Sequence, residues 1–163
     1  MEFSMKQKKL STNLTAAGVV VTVMAAALFF VVFPVYGRKI AVDYPEFSGA
    51  YIPVLIYLWV MSLPVWLAIW EYFRICREIG RDNSFSEETA GSLGKISLYA
   101  MADTVLLFAG ALIMLFVRLM PLALLISSIV ICVLGFGISV VAASLSHLVL
   151  KAKTIKDEND LTI

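Results

Sequence analysis

The chain has few charged residues for its length. Only 15% of its 163 residues are charged and 61% are hydrophobic, whereas soluble proteins contain roughly 45–50% apolar residues. The 13 basic and 12 acidic residues give a net charge of +1, which provides no basic field for contacting nucleic acid. The composition therefore predicts one integral membrane domain in contact with the lipid bilayer and excludes direct binding to nucleic acid.

Side chains suited to metal binding or catalysis are equally scarce. Two cysteines and one histidine do not make a recognisable zinc site. Cys76 lies in a charged segment and Cys132 in an apolar run, so we expect no disulfide between them. The sequence has no nucleophile–base pair and no phosphate-binding loop. We therefore predict no catalytic residue, no metal, no cofactor and no enzymatic activity.

Four long apolar runs dominate what remains. About 20 helical residues, at 1.5 Å each, cross a hydrocarbon core of about 30 Å. We expect Pro34 to end the first helix and Pro64 to kink the second. The predicted fold is all-α, an antiparallel bundle of four transmembrane helices. The runs cover residues 13–33, 50–70, 96–117 and 122–150.

The basic residues indicate the orientation of these spans. Lysine and arginine are enriched in cytoplasmic loops. Three of the 13 basic residues fall in the two short loops, at Arg38, Lys39 and Arg118, and the others lie in the tails and the central segment. We therefore predict that both termini and residues 71–95 are cytoplasmic.

Residues 71–95, here called the elbow, form the longest internal polar segment. We expect the second helix to continue to Gly80 and a turn to follow at residues 82–83. Ser84 or Ser86 would then cap a new helix that leads into the third span. Glu71 is predicted to form an exposed pair with Arg74, three residues along the same helix.

Asp103 is an acid inside the third apolar run. A carboxylate there costs at least about 2.5–3.5 kcal/mol on insertion scales, so it should face the bundle interior and find a partner. His147 and Ser144 in the fourth run are the candidate partners. A carboxylate–histidine pair would respond to protons or a ligand. The alternative is structural: Asp103 joins two helices or bonds backbone released by the kink at Pro64.

Small residues recur every fourth position on two of the spans. Such ridges let helix backbones approach closely, usually within one molecule and sometimes between two copies. The ridges could pack against each other or against a second copy in a homo-oligomer. They comprise Gly18, Thr22 and Ala26 on the first span, and Gly135, Ser139, Ala143 and His147 on the fourth.

The C-terminal tail, residues 151–163, carries mixed charge and ends in a small apolar cluster. Short termini are often disordered. Alternatively, Leu161 and Ile163 dock onto the elbow while the tail acids meet its arginines, and we favour this interpretation.

Three features carry a resemblance: the four-span layout with its central elbow, residues 83–86 (NSFS) followed by acids and Leu93, and residues 158–163 (ENDLTI). With them the chain resembles the YoaS-like family of small bacterial membrane proteins over most of its length. The resemblance implies a bacterial cytoplasmic membrane, an unknown function and no assigned catalytic residue. Family members are often encoded beside a small helix-turn-helix regulator, which implies a cytoplasmic transcription regulator as partner.

The sequence supports two hypotheses of different classes. The first is a non-enzymatic sensing or regulatory module whose elbow and tail bind a cytoplasmic protein, because most solvated residues lie on that side. The second is a small transport, ligand-binding or immunity protein with a site around Asp103, His147 and Ser144. The partner surface in the first hypothesis comprises Arg74, Arg77, Arg81, Phe85, Leu161 and Ile163.

Overall fold

The computed structural model describes residues 2–117 and 122–160, and in these ranges it contains helices and no strand. Four of its helical stretches are long and apolar enough to cross a membrane, which confirms the predicted all-α fold of four membrane helices. The elements are α1 (Glu2–Ala27), a π-helical turn (Leu28–Val32), α2 (Phe33–Asp43), a 3-10 turn (Pro45–Ala50), α3 (Tyr51–Gly80), α4 (Glu87–Phe116) and α5 (Leu122–Asp160).

The first membrane helix does not end at Pro34, and that prediction is wrong. The π-helical turn that precedes α2 lets the N–H of Phe33 bond the carbonyl of Leu28, five residues back. Such a turn shifts the hydrogen-bond register at a proline and keeps the helix continuous. Helix α2 therefore runs on to Asp43 and packs against α3, where the Tyr51 hydroxyl donates to the Pro34 carbonyl at 3.3 Å.

The long helices pack in the order of the chain. Among the described residues, backbone packing joins α1 to α3, α3 to α4 and α4 to α5. Helix α4 thus has a helix on each side, while α1 and α5 form the two edges. This order brings the elbow between α3 and α4 to the same end of the molecule as the C-terminal half of α5.

Both small-residue ridges pack inside the chain, and each packs on a different helix. Gly18 on α1 lies under the Tyr72 ring, where a Cβ would come within 2.6 Å of a ring carbon. Ser139 on α5 is buried and donates to the carbonyl of Ser97 on α4 at 2.9 Å. The predicted intramolecular packing is confirmed, but the two ridges do not meet each other.

The elbow has the predicted helix–turn–helix form. Helix α3 ends at Gly80, and Asp82 has a φ of 62° in the turn that follows. Left-handed backbone is tolerated by aspartate better than by most residues. Of the two candidate caps, Ser86 is the one used: its hydroxyl accepts from the backbone N–H of Thr89 at 3.1 Å.

Replacing Ser86 with alanine is expected to lower the free energy of unfolding by about 1 kcal/mol, the usual cost of losing an N-cap. Ser84→Ala is the matched control, because Ser84 lies two residues earlier and does not cap α4; its effect should stay within about 0.5 kcal/mol. Unfolding in detergent with increasing SDS measures both. Equal losses for the two variants would contradict the assignment of the cap.

Candidate functional site

A buried carboxylate joins the two arms of the elbow. Glu71 on α3 is 5% exposed and accepts hydrogen bonds from Ser92 Oγ at 2.7 Å and Lys95 Nζ at 3.1 Å, both on α4. The guanidinium of Arg74 lies further away, at 3.9 Å. The predicted pair of Glu71 and Arg74 is therefore present, but it is not exposed as predicted, since α4 folds back over α3 here, buries Glu71 and supplies closer donors.

This arrangement makes the elbow a rigid junction. A buried charge is tolerated only when it is paired and hydrogen-bonded. Glu71 meets that condition only while α3 and α4 keep their present contact. The sequence contains the signal, an acid and a lysine at the edges of two successive apolar runs, but it does not show that the two runs align there.

A second set of bonds holds the turn itself. Glu78 near the end of α3 accepts from Arg81 at 3.3 Å and from the Asn83 side-chain amide at 3.0 Å. The backbone N–H of Asn83 also donates to the Glu78 carbonyl at 3.0 Å. One glutamate therefore fixes both the side chains and the backbone between the two arms.

The C-terminal tail is helical as far as the structure describes it. Helix α5 continues to Asp160, and Lys153 bonds Glu87 in the first turn of α4 at 2.6 Å. This ion pair ties the tail to the elbow. Disorder was therefore the wrong prediction for residues 151–160. The predicted docking concerns Leu161 and Ile163, which lie outside the described residues, so it stays a prediction.

Four of the predicted partner residues are exposed on the elbow. Arg74 and Arg77 on α3 and Arg81, directly after its end, are exposed and follow one another at helical spacing. Phe85, in the turn, is 58% exposed. These four residues are called the arginine–phenylalanine surface below. Exposed guanidinium groups and an exposed ring suit a partner with acidic side chains and an apolar pocket. Arg74 and Arg81 also pair with Glu71 and Glu78.

A different polar cluster lies in the apolar, membrane-spanning part of the helices. Oδ1 of Asp103 on α4 is buried and has no hydrogen-bond partner among the described residues. Tyr57 on α3 and Cys132 on α5 are close enough to interact with it electrostatically. The Tyr57 hydroxyl donates to the Leu106 carbonyl, and the Cys132 thiol points at the Thr104 carbonyl at 3.9 Å.

His147 and Ser144 are not part of this cluster, so the predicted pairing of Asp103 with His147 is wrong. Ser146, next to His147, donates to the Ala90 carbonyl at 2.7 Å, which lies about 20 Å along α4 from Asp103 at 1.5 Å per residue. Ser144 is exposed and donates to the carbonyl of Val140 in its own helix at 2.9 Å. The pairing failed because sequence does not reveal the register of two antiparallel helices.

Two apolar cavities of similar volume lie between the described helices. One, of about 220 Å³, has Cys132 in its lining; the other lies at the end of the helices opposite the elbow and does not reach either polar cluster. Its volume is about 210 Å³. The side chains that line this cavity are apolar apart from the hydroxyl group of Tyr51. The cavity therefore offers mainly hydrophobic contacts to a ligand. In the described ranges, no three histidine, cysteine or acidic side chains converge as metal ligands.

Comparison with known proteins agrees with this architecture. Residues 35–163 match a family described as a protein of unknown function, DUF2975. The chain is 27% identical over 145 residues to the uncharacterized membrane protein YoaS of Bacillus subtilis (strain 168), which covers 88% of this chain and 89% of that protein. No solved structure matches the chain. The resemblance seen in the sequence is thus confirmed.

Proposed function

Because the chain belongs to the DUF2975 family of proteins of unknown function, we propose its role from its own geometry: a non-enzymatic membrane module whose elbow binds a soluble protein. In this proposal both termini and the elbow lie on the cytoplasmic side of a bacterial cell membrane, as the distribution of basic residues favours. The partner is a cytoplasmic regulator, for which a small transcription regulator is our leading candidate.

One observation carries the proposal: an exposed, charged and aromatic surface lies on a junction whose two helices are joined by the buried Glu71. Rigid surfaces bind with a smaller loss of conformational entropy than mobile ones do. Arginine and aromatic residues are also the side chains most enriched where binding energy concentrates. Arg77, in the middle of the arginine–phenylalanine surface, is exposed and is therefore the residue whose charge should matter most.

Photo-crosslinking tests the proposal in intact cells. With a photoreactive phenylalanine analogue in place of Phe85, irradiation should produce a covalent adduct with a cytoplasmic protein. Adding Arg77→Glu should lower the yield about tenfold, the effect of losing about 1.4 kcal/mol of binding free energy. Reversing one charge in an electrostatic contact removes an attraction and adds a repulsion.

Arg38→Glu is the matched control, because it makes the same charge change on an exposed residue of α2, at the opposite end of the molecule. It should leave the adduct yield unchanged. The proposal fails if Arg77→Glu leaves the yield at the wild-type level, or if the analogue at position 85 forms adducts only with proteins outside the cytoplasm.

The second candidate function is a site in the membrane interior. The buried and unpartnered Oδ1 of Asp103 favours it, because intramembrane acids usually mark ion or substrate sites. Such a site does not include His147, which is exposed and lies at another level. The test is whether Asp103→Asn abolishes the protein's phenotype in cells while Arg77→Glu preserves it.

A further inference from the structure

We propose that Asp103 is a proton-binding site in the middle of the membrane. The observation that raises the question is the buried Oδ1, which has no partner in the described part of the chain. A carboxylate in such surroundings must be paired, or it must take up a proton and become neutral. The neighbouring side chains and backbone favour the second outcome.

The donors around Asp103 are already engaged with backbone carbonyls. Tyr57 donates to Leu106, and Thr104 donates to the Ala100 carbonyl at 2.8 Å. Ser62, buried on α3, donates to the carbonyl of Trp59 at 2.7 Å. The hydroxyl groups at about the same height along the helices as Asp103 thus donate to backbone carbonyls. A negatively charged Asp103 would be surrounded by hydrogen-bond acceptors, and none of these hydroxyl groups donates to it.

No basic side chain stands opposite Asp103 on the helices that pack against α4. Residues 51–70 of α3 and residues 122–150 of α5 contain no lysine, arginine, aspartate or glutamate. The titratable groups that face Asp103 are Tyr57 from α3 and Cys132 from α5. Both are neutral in their protonated forms and become negative when they ionise, so neither can balance the charge of Asp103.

A backbone carbonyl at the level of Asp103 on α3 lacks its usual intrahelical donor. Contacts between Glu71 and Ser92, and between Tyr57 and Leu106, set the register of the two helices. In this register, residue 60 lies eleven residues before Glu71 and Asp103 lies eleven residues after Ser92. Because the two helices are antiparallel, residue 60 therefore lies opposite Asp103. The carbonyl of residue 60 would normally accept from the N–H of residue 64, but Pro64 has none. Pro64 is seven residues from both Tyr57 and Glu71, hence on the same face of α3.

These features define a reversible chemical step. The carboxylate of Asp103 takes up one proton from water, and the new O–H donates to a carbonyl such as that of Val60. The bond satisfies both the acid and the acceptor that Pro64 leaves without its intrahelical donor. Releasing the proton restores the charge and breaks the bond between α3 and α4, so occupancy of the site changes how these helices are held together.

Infrared spectroscopy of the protein in lipid nanodiscs tests the proposal. Near neutral pH the wild type should show the carbonyl stretch of a protonated carboxylic acid, and the band should disappear reversibly when the pH is made strongly alkaline. Asp103→Asn, which keeps the shape of the side chain, should remove the band. Asp82→Asn is the control, because asparagine also tolerates the left-handed backbone of that exposed turn; it should leave the band in place.

Three results would overturn the proposal: no protonated-acid band in the wild type near neutral pH, a band that survives Asp103→Asn, or a band that alkaline buffer does not remove. A bound metal cation in place of the proton would produce the first of these. Stabilisation of the wild type, but not of Asp103→Asn, by sodium or potassium would then identify the cation. Because Asp103 is remote from the elbow surface, the result is independent of whether the proposed partner exists.

Discussion

Replacing Lys95 with methionine is expected to lower the free energy of unfolding by about 2–3 kcal/mol. Glu71 would remain buried with its Ser92 hydrogen bond but without its nearest cation, which lies at 3.1 Å. Removing one partner of a fully buried ion pair costs about 3–5 kcal/mol. The smaller figure applies here because the Lys95 side chain is 49% exposed and part of its attraction is screened by water.

Two further variants separate the ion pair from other effects of the substitution. Arg74→Met removes a cation that lies further from Glu71, at 3.9 Å, so its effect should be below about 1 kcal/mol. Combining Lys95→Met with Glu71→Gln removes the uncompensated charge and should recover most of the lost stability. All of these variants are measured by thermal unfolding in detergent, monitored with a dye that labels the buried Cys76 thiol when it becomes exposed. A Cys132→Ala background removes the other cysteine. Equal effects of Lys95→Met and Arg74→Met would refute this account.

Adding a single methyl group at Gly110 is expected to cost about 1–3 kcal/mol, the usual penalty for overpacking. A Cβ at this position would overlap the ring and hydroxyl of Tyr57. The ring would have to move, and its hydrogen bond to the Leu106 carbonyl would break. The loss should appear in the same unfolding assay, even though alanine is the better helix former.

Gly137 provides the control, because nothing lies within 4 Å of the position that its Cβ would occupy. Gly137→Ala should therefore stabilise the helix, by up to about 1 kcal/mol. Pairing Gly110→Ala with Tyr57→Leu should restore part of the loss, since the smaller side chain makes room for the methyl group. If Gly110→Ala behaves like Gly137→Ala, the close packing of Tyr57 on α4 is disproved.

The local features of the elbow could be predicted from the sequence because neighbouring residues produce them. A glycine ends α3, Asp82 takes the left-handed turn and Ser86 caps α4, all within a few residues of one another. The error at Pro34 is also local, but it involves two competing rules. Proline usually ends a helix, and a π-helical turn lets the helix continue.

The contacts between distant residues could not be predicted in the same way. Glu71 looked like one half of an exposed pair because only its own helix was visible in the sequence, and His147 looked like the partner of Asp103 because both lie in apolar runs. The actual partners depend on how far each helix slides along its neighbour. A shift of one helical turn, about 5.4 Å, would bring different side chains together.

The sequence by itself determined that this chain spans a membrane four times, where the elbow interrupts its helices, and which family it belongs to. These properties follow from hydrophobicity, turn residues and short motifs, all of which are local. Only the tertiary structure decided that Glu71 is buried against Lys95 and Ser92 and that Asp103 lies beside Tyr57 and Cys132. Both results depend on the register between packed helices, which is set by the summed fit of many side chains and by no single residue.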